Sequence, residues 1–523
     1  MKKALATILV LVMAISLIAC GNGGSKESPV SQAPSPSAEG PKLAEHIEVM
    51  SNSVVPAVIN AFNPSGMVAP AQWIYTLITD KLIEYDEAKG EVLPQLATRW
   101  ETNDNKTIRF YLREDVYFHN GEHFTAEDVK WTIETSREFP GSGASDRWAV
   151  VTEANVIDTY TIDLVLERPN AGVFTMLAMP TAGIYNSKAF QEQPDNWFWV
   201  GTGPFIITDF STNEFTAVTR NDNYWGGVAP TKTMTFRFVP EESVRTVMML
   251  NNDFQFSLGI QADDLDLFYD NPEFVVTTRR MVAPLAVGFN MTDPLMADLN
   301  FRKAVFHAVD CYEIGVVSEG VNGVARMEDS NIWGDMAFRK GDIPLYERDL
   351  DLAKQFLEAS SYNGERVEIA APAPPFIRGA ELMQEQLKQI GINAEVNAMD
   401  QPGLFSLLAF GNNKSQIHYF TPETSFDPFL FVRNNFMASP LNRTSCVSPE
   451  IEELLLKAEA TTSMQEQRAL FEQIQDLVAA DPPWMPTVWR DFGDVGRASV
   501  SGFVPSGTSA RQNFRQLSML VEE

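Results

Sequence analysis

Two histidines have a spacing that could bind a metal ion. His119 and His123, among five histidines in the chain, are four residues apart, as in a metal pair on one face of a helix. Asn120-Gly121 between them predicts a tight turn instead of a helix. No third ligand lies nearby in the sequence. We therefore predict structural roles for both histidines, and no metal or other cofactor.

Motifs of catalysis are missing from the sequence. It contains no G-x-S-x-G, no H-E-x-x-H and no cysteine with a partnering histidine motif. Carboxylates are abundant, but their abundance on an acidic surface identifies no acid–base pair. The sequence therefore predicts that the protein is not an enzyme.

Net charge and chain length limit the possible binding partners and the number of lobes. With 69 acidic and 40 basic residues the formal net charge is −29, which repels nucleic acid and anionic lipid. No nucleic-acid partner is predicted. The chain of 523 residues exceeds the ~250–300 residues at which a single core stops growing, so more than one lobe is expected.

The N-terminal segment is predicted to target the chain to a membrane surface. Lys2 and Lys3 precede an apolar stretch, residues 4–18, that is short for a membrane span. LIAC, which ends at Cys20, resembles a bacterial lipobox and implies cleavage before Cys20 and a lipid on its thiol. Residues 1–19 are thus the expected signal peptide. Residues 20–42 are the expected lipidated cysteine and disordered Gly/Ser/Pro tether.

Two further cysteines remain in the chain, Cys311 and Cys446. They lie far apart in sequence and have no metal-type spacing. We expect two inert thiols, with a disulfide between them as the alternative.

Alternating apolar patterns predict a mixed α/β body from residue 46 onward. The stretch 96–131 shows the pattern well, because turn residues 103–106 lead into a half-buried strand at residues 107–112. Thr125 followed by Asp128 predicts a capping box at the start of a helix. Apolar spacing predicts another helix over residues 71–83.

The same stretch resembles the hallmark of one protein family. Three blocks carry the resemblance, Arg113-Glu114-Asp115-Val116, Phe118-His119-Asn120-Gly121 and Phe124-Thr125-Ala126-Glu127-Asp128-Val129. They match, in order, the signature of the family 5 extracellular solute-binding proteins, the peptide and nickel binders of ABC importers. VGTGPF at residues 200–205 and RNDNYW at residues 220–225 are similar to two further motifs of that family.

The resemblance implies the architecture. The fold class is α/β, a two-lobed fold like that of periplasmic binding proteins of class II or cluster C type, with an extra subdomain in lobe one and two hinge crossings. The implied domains are lobe one at 43–282 with a subdomain at about 85–195, lobe two at 283–488 and a C-terminal return to lobe one at 489–523. The crossings are expected near residues 283–290 and 488–495.

The resemblance also indicates where a ligand is selected, at residues 416–431. Peptide binders of the family have an Asp-x-x-x-Pro motif whose Asp pairs with the α-ammonium of the ligand. Here Pro428 is present, but Thr424 stands in place of the Asp and Glu423 is one residue away. Either Glu423 or Asp427 replaces the anchor, or the ligand lacks the amine. The alternative for Asp427 is a helix cap before Pro428.

Further ligand-contact candidates follow from the same resemblance. Tyr419 and Phe420 stand where the family places a pocket aromatic, and His418 precedes them. The remaining candidates come from loops or segments expected near the cleft, and they are Trp148, Arg378 and Met67. Each of these residue types is also common in a core or on an open surface.

The implied function is that of a lipid-anchored substrate-binding subunit of an ABC importer. It would capture a small solute between its lobes and deliver it to the permease, with an oligopeptide as the first expectation. Oligosaccharide or metal-chelate binding is the alternative, as is a ligand sensor that does not transport. A monomer on the outer face of the cytoplasmic membrane, or in the periplasm, is expected.

Overall fold

The computed structural model describes residues 42–51, 60–63, 69–86, 91–140, 142–260, 262–282, 284–329, 333, 336–341, 343–372, 376–422, 427–439, 441–506 and 512–521. Residues Leu43–Glu523 form one compact unit. Four of the predicted functional positions lie outside the described residues, and they are Cys20, Met67, Glu423 and Thr424.

The strands in chain order are β1 His46–Ser51, β2 Ile83–Asp86, β3 Glu91–Pro94, β4 Ala97–Glu101, β5 Thr107–Leu112, β6 Val151–Asp158, β7 Thr161–Leu166, β8 Phe205–Ser211, β9 Phe215–Arg220, β10 Thr233–Phe238, β11 Phe256–Ile260, β12 Phe274–Arg280, β13 Leu285–Phe289, β14 Val324–Arg326, β15 Val367–Pro372, β16 Ala394–Met399, β17 Ile417–Phe420, β18 Trp484–Arg497, β19 Val500–Ser501 and β20 Ser518–Met519.

The α-helices in chain order are α1 Ala69–Ile78, α2 Ala126–Ser136, α3 Gly143–Trp148, α4 Val173–Leu177, α5 Ser187–Glu192, α6 Glu242–Leu250, α7 Asp266–Tyr269, α8 Leu299–Ala308, α9 Cys311–Glu319, α10 Leu350–Glu358, α11 Phe376–Lys388, α12 Gln401–Leu407, α13 Pro428–Phe436, α14 Pro449–Ala460 and α15 Met464–Ala480.

One mixed sheet runs through both lobes, in the order β16-β15-β17-β13-β18-β11-β1-β10-β9-β8. β18 belongs to both halves, because its first part pairs with β13 and its last part pairs with β11 and β12. The part of the sheet with β1 and β8–β12 is called lobe one, and the part with β13–β17 is called lobe two. The consecutive strands β12 and β13 and the long strand β18 therefore make the two predicted crossings.

Separate apolar cores support the two lobes. The core of lobe one joins β1 and α1 to a four-stranded antiparallel sheet, β4-β5-β7-β6, which is called the inserted subdomain. Lobe two has apolar clusters formed by α8, α9 and α11 and by α13, α14 and α15. The predicted α/β, two-lobed class is confirmed, whereas the residue limits given for the domains stay a prediction.

Local sequence signals place several elements correctly. The strand predicted at residues 107–112 is β5, and Thr125 and Asp128 form the predicted capping box of α2. The helix predicted over residues 71–83 ends earlier, at Ile78. Leu82 and Ile83 are apolar because they are buried in the core next to and within β2, not because they continue the helix.

The glycines of the VGTGPF motif allow close contact with the end of α1. A Cβ atom added to Gly201 would lie 1.9 Å from the carbonyl oxygen of Ile78, and one added to Gly203 would lie 2.4 Å from that of Leu77. Only a residue without a side chain fits at these two positions. The motif therefore holds α1 against the start of β8.

Asp80 connects this contact to the rest of lobe one. Its side chain is fully buried and receives five donors, which are Gln95 Nε2 at 3.0 Å, Thr202 Oγ1 at 3.1 Å, Tyr224 OH at 3.1 Å, Trp225 Nε1 at 2.8 Å and Arg515 Nη2 at 3.0 Å. Two sequence motifs and the C-terminal return thus meet at one carboxylate.

Candidate ligand site between the lobes

Three arginines of the hinge strands lie next to the crossings, and each is paired with a carboxylate. The pairs are Arg279 with Asp494 at 2.7 Å, Arg280 with Asp491 at 3.0 Å and Arg490 with Glu319 at 2.9 Å. Asp494 is fully buried and accepts the N–H of Gly259 at 2.9 Å. Burial raises the pKa of Asp494, and its ion pair with Arg279 opposes that effect. The crossings are therefore held by neutralised pairs and not by a net charge.

Arg490 lies close to two aromatic rings at the crossing. Its guanidinium carbon is 5.3 Å from the ring centroid of Phe376 and 5.0 Å from that of Phe492. Such cation–π contacts hold a guanidinium plane in position. Within the part of the chain that the structure describes, Arg490 Nε is buried without a hydrogen-bond acceptor. No sequence pattern pointed to this cluster, because its members come from three distant segments.

Asp427 is the N-cap residue of α13, which is the helix-cap role that the sequence offered as the alternative for it. Its side chain accepts the N–H of Phe429 at 2.9 Å and also receives the hydroxyl of Thr175, which belongs to lobe one. The residue is 4% exposed, and burial raises the pKa of its carboxyl to about 6. The connection from β17 to α13, where the family pattern breaks, therefore ends at a contact between the lobes.

The candidates on β17 are buried. Tyr419 faces the helices α9 and α11, where Ser318 Oγ donates to its hydroxyl at 3.4 Å. Phe420 faces the opposite side and contacts Trp484. His418 is fully buried, and burial lowers its pKa to about 3, with Arg443 acting in the same direction. His418 is therefore neutral at physiological pH, and none of the three presents appreciable surface in this conformation.

The other candidates lie in different places. Trp148 ends α3 and is fully buried in the core of lobe one. Arg378 lies in the first turn of α11 with an exposed side chain, and its Nη2 is 3.5 Å from the carbonyl oxygen of Ser318. These ligand contacts stay predictions, as do those of Met67, Glu423 and Thr424.

His119 and His123 bond to the backbone in loops. Nε2 of His119 is 2.9 Å from the carbonyl oxygen of Gly203, and the N–H of Gly201 donates to its Nδ1 at 3.3 Å. Nε2 of His123 is 2.9 Å from the carbonyl oxygen of Glu114. Among the described residues no group of three or more His, Cys, Asp or Glu side chains could hold a metal ion. Burial also lowers the pKa of His119.

The lobes meet at a second group of contacts, which we call the interlobe seam. Its members from the inserted subdomain and α4 are Asn105, Arg168, Ala171, Gly172 and Thr175, and its members from lobe two are Asp427, Phe429, Glu459 and Thr461. No sequence pattern indicated the seam, since Glu459 resembles any other charged position of α14.

The cysteines of the described body do not pair. Cys311 and Cys446 are both free thiols, as expected from the sequence, and the alternative of a disulfide between them is wrong. Burial raises the pKa of each thiol to about 12. Among the described residues, no helix is both long enough and apolar enough to cross a membrane.

Comparison with known proteins identifies a matching family and similar relatives. Residues 91–437 match the family described as bacterial extracellular solute-binding proteins, family 5 Middle. The probable di/tripeptide-binding protein 5 of Pseudomonas aeruginosa (strain UCBPP-PA14) is 23% identical over 483 residues, which cover 85% of this chain and 90% of the relative. Heme-binding protein A of Haemophilus influenzae is also 23% identical, over 522 residues that cover 92% of this chain and 93% of the relative.

A solved structure shows the same fold. The ABC transporter substrate-binding protein CtaP of Listeria monocytogenes superposes with a TM-score of 0.81 at 17% identity, covering 92% of this chain and all of that one (100%). The family match spans more than half of the chain. The family predicted from the motifs is thus confirmed, and this chain belongs to the bacterial extracellular solute-binding proteins of family 5.

Proposed function

We propose that this chain is the substrate-binding lipoprotein of an ABC importer, which captures an oligopeptide between its lobes and delivers it to the membrane permease. The observation that carries the proposal is the hydrogen bond from Thr175 of lobe one to Asp427 of lobe two. It puts the end of the β17–α13 connection, where family members select the ligand, at the junction of the lobes. A solute held there would contact both lobes.

The proposed mechanism is binding with hinge closure. A ligand that contacts both lobes binds the closed conformation more tightly than the open one, and it shifts the population only by that difference in affinity. The paired hinge arginines can turn with the strands without exposing an uncompensated charge, because each arginine keeps its carboxylate. No step changes a covalent bond of the solute.

For the peptide ammonium we favour Glu423 over Asp427 as the anchor. Both oxygens of Asp427 already have partners, the N–H of Phe429 and the hydroxyl of Thr175. Binding an ammonium there would compete with a helix cap and with a contact between the lobes. Glu423 is on the same connection and has the required charge, and an enclosed ion pair of this kind is stronger than one at the surface.

A metal chelate is the second candidate ligand. Two relatives of equal identity are named for different ligands, one for di- and tripeptides and one for heme. The identity to these two relatives does not separate the two ligand classes, although further relatives are also named as peptide-binding proteins. An oligosaccharide importer and a ligand sensor without transport are the remaining alternatives.

The proposal includes a lipid anchor at Cys20 and a monomer on the extracytoplasmic face. Replacing Cys20 with Ser should abolish acylation and release the protein from the membrane fraction. Metabolic labelling with a fatty acid, followed by fractionation, measures both effects. Membrane retention of an unlabelled Cys20→Ser protein would contradict the anchor.

The ligand class is tested by native mass spectrometry of the full chain purified without refolding. A heterogeneous set of bound peptide masses is the expected result. A single sugar mass or a heme mass would overturn the peptide proposal and favour the corresponding alternative.

Two carboxylate variants then test the anchor. Glu423→Gln should reduce peptide affinity by about tenfold or more, since it removes one enclosed ion pair, worth about 1.4 kcal/mol for each factor of ten. Asp427→Asn keeps a side chain that caps helices well, so it changes the charge with little effect on α13. Asp310→Asn, at the cap of α9, is the matched control. Unchanged affinity in Glu423→Gln would exclude Glu423 as the anchor.

A further inference from the structure

A buried carboxylate of lobe two, that of Glu459, forms an ion pair across the seam. The side chain of Glu459, in α14 of lobe two, is only 1% exposed. It forms ion pairs with Arg168 from the inserted subdomain of lobe one and with Arg433 from α13 of lobe two. A buried carboxylate is costly unless it is paired and hydrogen-bonded. Arg168 therefore supplies part of that compensation from the opposite lobe.

Backbone groups reinforce the same contact. The N–H of Ala171 donates to the carbonyl oxygen of Glu459 at 3.0 Å. Asn105 Nδ2 donates to the carbonyl oxygen of Thr461 at 3.1 Å. These two carbonyls lie at the end of α14, where carbonyl groups lack partners within the helix. Lobe one thus caps the last turn of a lobe-two helix.

The turn that carries Asn105 is built for this contact. Asp104 accepts the N–H groups of Lys106 and Thr107, both at 2.9 Å, and the hydroxyl of Thr102 accepts the N–H of Asn105 at 3.0 Å. Asn105 has a φ of 51°, in the left-handed region that asparagine tolerates better than most residues. The residue is 4% exposed, and its side-chain amide donates to lobe two.

Apolar contact completes the seam. A Cβ atom added to Gly172 would lie 2.8 Å from Cβ of Phe429, so the backbone of lobe one touches the side chain directly. Ala171 packs against the apolar cluster that contains Phe429. The seam therefore combines a shared carboxylate, helix capping and close packing, and none of its residues is one of the predicted ligand contacts except Asp427.

We propose that the interlobe seam is a latch that stabilises the closed conformation for every ligand equally. The inference rests on hinge closure in the proposed function. A contact made only when the lobes are closed adds the same free energy to each bound complex, whatever the ligand. Arg168 and Asn105 are then positioning residues, which set affinity without touching the solute.

A matched pair of variants separates a latch from an ordinary fold contact. Arg168→Met removes the partner of Glu459 across the seam, whereas Arg433→Met removes its partner within lobe two. Hydrogen exchange of the full chain, measured by mass spectrometry without added ligand, reports the amide of Ala171. We expect its exchange to rise about tenfold in Arg168→Met and to stay within about twofold of the unsubstituted chain in Arg433→Met. Equal effects of the two variants would overturn the latch.

Asn105→Gly provides a second variant that keeps the turn. Glycine adopts the same φ without strain and lacks the amide that donates to Thr461. The latch predicts faster exchange at Ala171 together with an unchanged pattern in the strands β4 and β5. Exchange at Ala171 like that of the unsubstituted chain would contradict the proposal.

Affinity measurements test whether the latch is independent of the ligand. With trialanine and tetraalanine as probes, Arg168→Met should lower the affinity for both peptides by the same factor, about tenfold, through faster dissociation. Unequal losses for the two peptides would overturn the latch and make Arg168 a ligand contact. If neither peptide binds the unsubstituted chain, the peptide proposal fails, while the exchange experiment still decides the latch.

Discussion

Asp80 should control the stability of lobe one, because three distant segments meet at its carboxylate. Replacing it with asparagine keeps the shape of the side chain and removes the charge opposite Arg515, whose side chain is only 17% exposed. With the amide nitrogen in place of Oδ2, the two donors Thr202 and Trp225 would face it instead of an oxygen acceptor, and Arg515 would keep the remaining oxygen. In place of Oδ1 it would face the other three donors. Arg515 keeps three other bonds: one from its Nε to the carbonyl oxygen of Thr76 at 2.8 Å, and two longer ones to the hydroxyl of Tyr224 at 3.4 Å and the carbonyl oxygen of Thr79 at 3.5 Å.

The magnitude follows from the burial of the pair. Removing one partner of a buried ion pair costs about 3–5 kcal/mol. Because Arg515 retains Thr76 and the new amide side chain would retain one acceptor oxygen, we expect the low end, about 3 kcal/mol. Unfolding entropy is about 2.1 cal/mol/K per residue, so the melting temperature of a unit of roughly 480 residues should fall by about 3 °C. The fall would be about twice as large if lobe one unfolds by itself.

Urea denaturation and calorimetry of Asp80→Asn test this expectation. Asp222→Asn is the matched control, since Asp222 also pairs with an arginine, Arg220, at 2.7 Å, but its side chain is 72% exposed. Exposed pairs contribute about 0–1 kcal/mol, so the control should stay close to the unsubstituted chain. Equal stabilities of the two variants would refute the role assigned to burial at Asp80.

Three other measurements examine separate features. The pKa of Asp427 is about 6 in the folded chain against 3.8 for an ordinary carboxyl, so protonation of this group favours folding. The free energy of unfolding should therefore fall as the pH rises from about 4 to about 6. In urea titrations Asp427→Asn should flatten this fall, and an unchanged pH dependence would contradict the assignment. Gly201→Ala should destabilise the chain by about 3 kcal/mol or more because its Cβ meets a backbone oxygen, whereas Gly341→Ala, with no atom within 4 Å, should be close to neutral in the same thermal assay. Cys311 and Cys446 should resist a thiol reagent at pH 8 until denaturant is added, as read by peptide mapping; rapid labelling of the native chain would be the opposing result.

Predictions from the sequence succeeded where the cause is local. The alternation in β5 and the capping box at Thr125 depend on residues close to one another, so pattern alone identified them. The end of α1 was misplaced because Leu82 and Ile83 continue an apolar pattern in a different element. Asp80 was missed for a related reason, since its donors are dispersed from Gln95 to Arg515 and leave no spacing to read.

The candidate site also combines features that the sequence indicated with contacts that it did not. The family resemblance directed attention to the β17–α13 connection, because a departure from a known motif is visible in sequence. The seam depends on contacts such as that of Asn105 with Thr461, 356 positions apart, and no local pattern reports them. Asn105 lies in the turn of the stretch 96–131, so the stretch that carries the family signature also supplies a contact between the lobes.

Three groups of residues can therefore be distinguished by whether their substitution changes stability, affinity or ligand preference. Buried groups such as Asp80 hold a lobe together, so their loss should lower stability without changing which ligand is preferred. Under the proposed latch, Arg168 joins the lobes without touching the solute, so its loss should weaken all ligands by one factor. Only the connection that contains Glu423 should change the ranking of ligands.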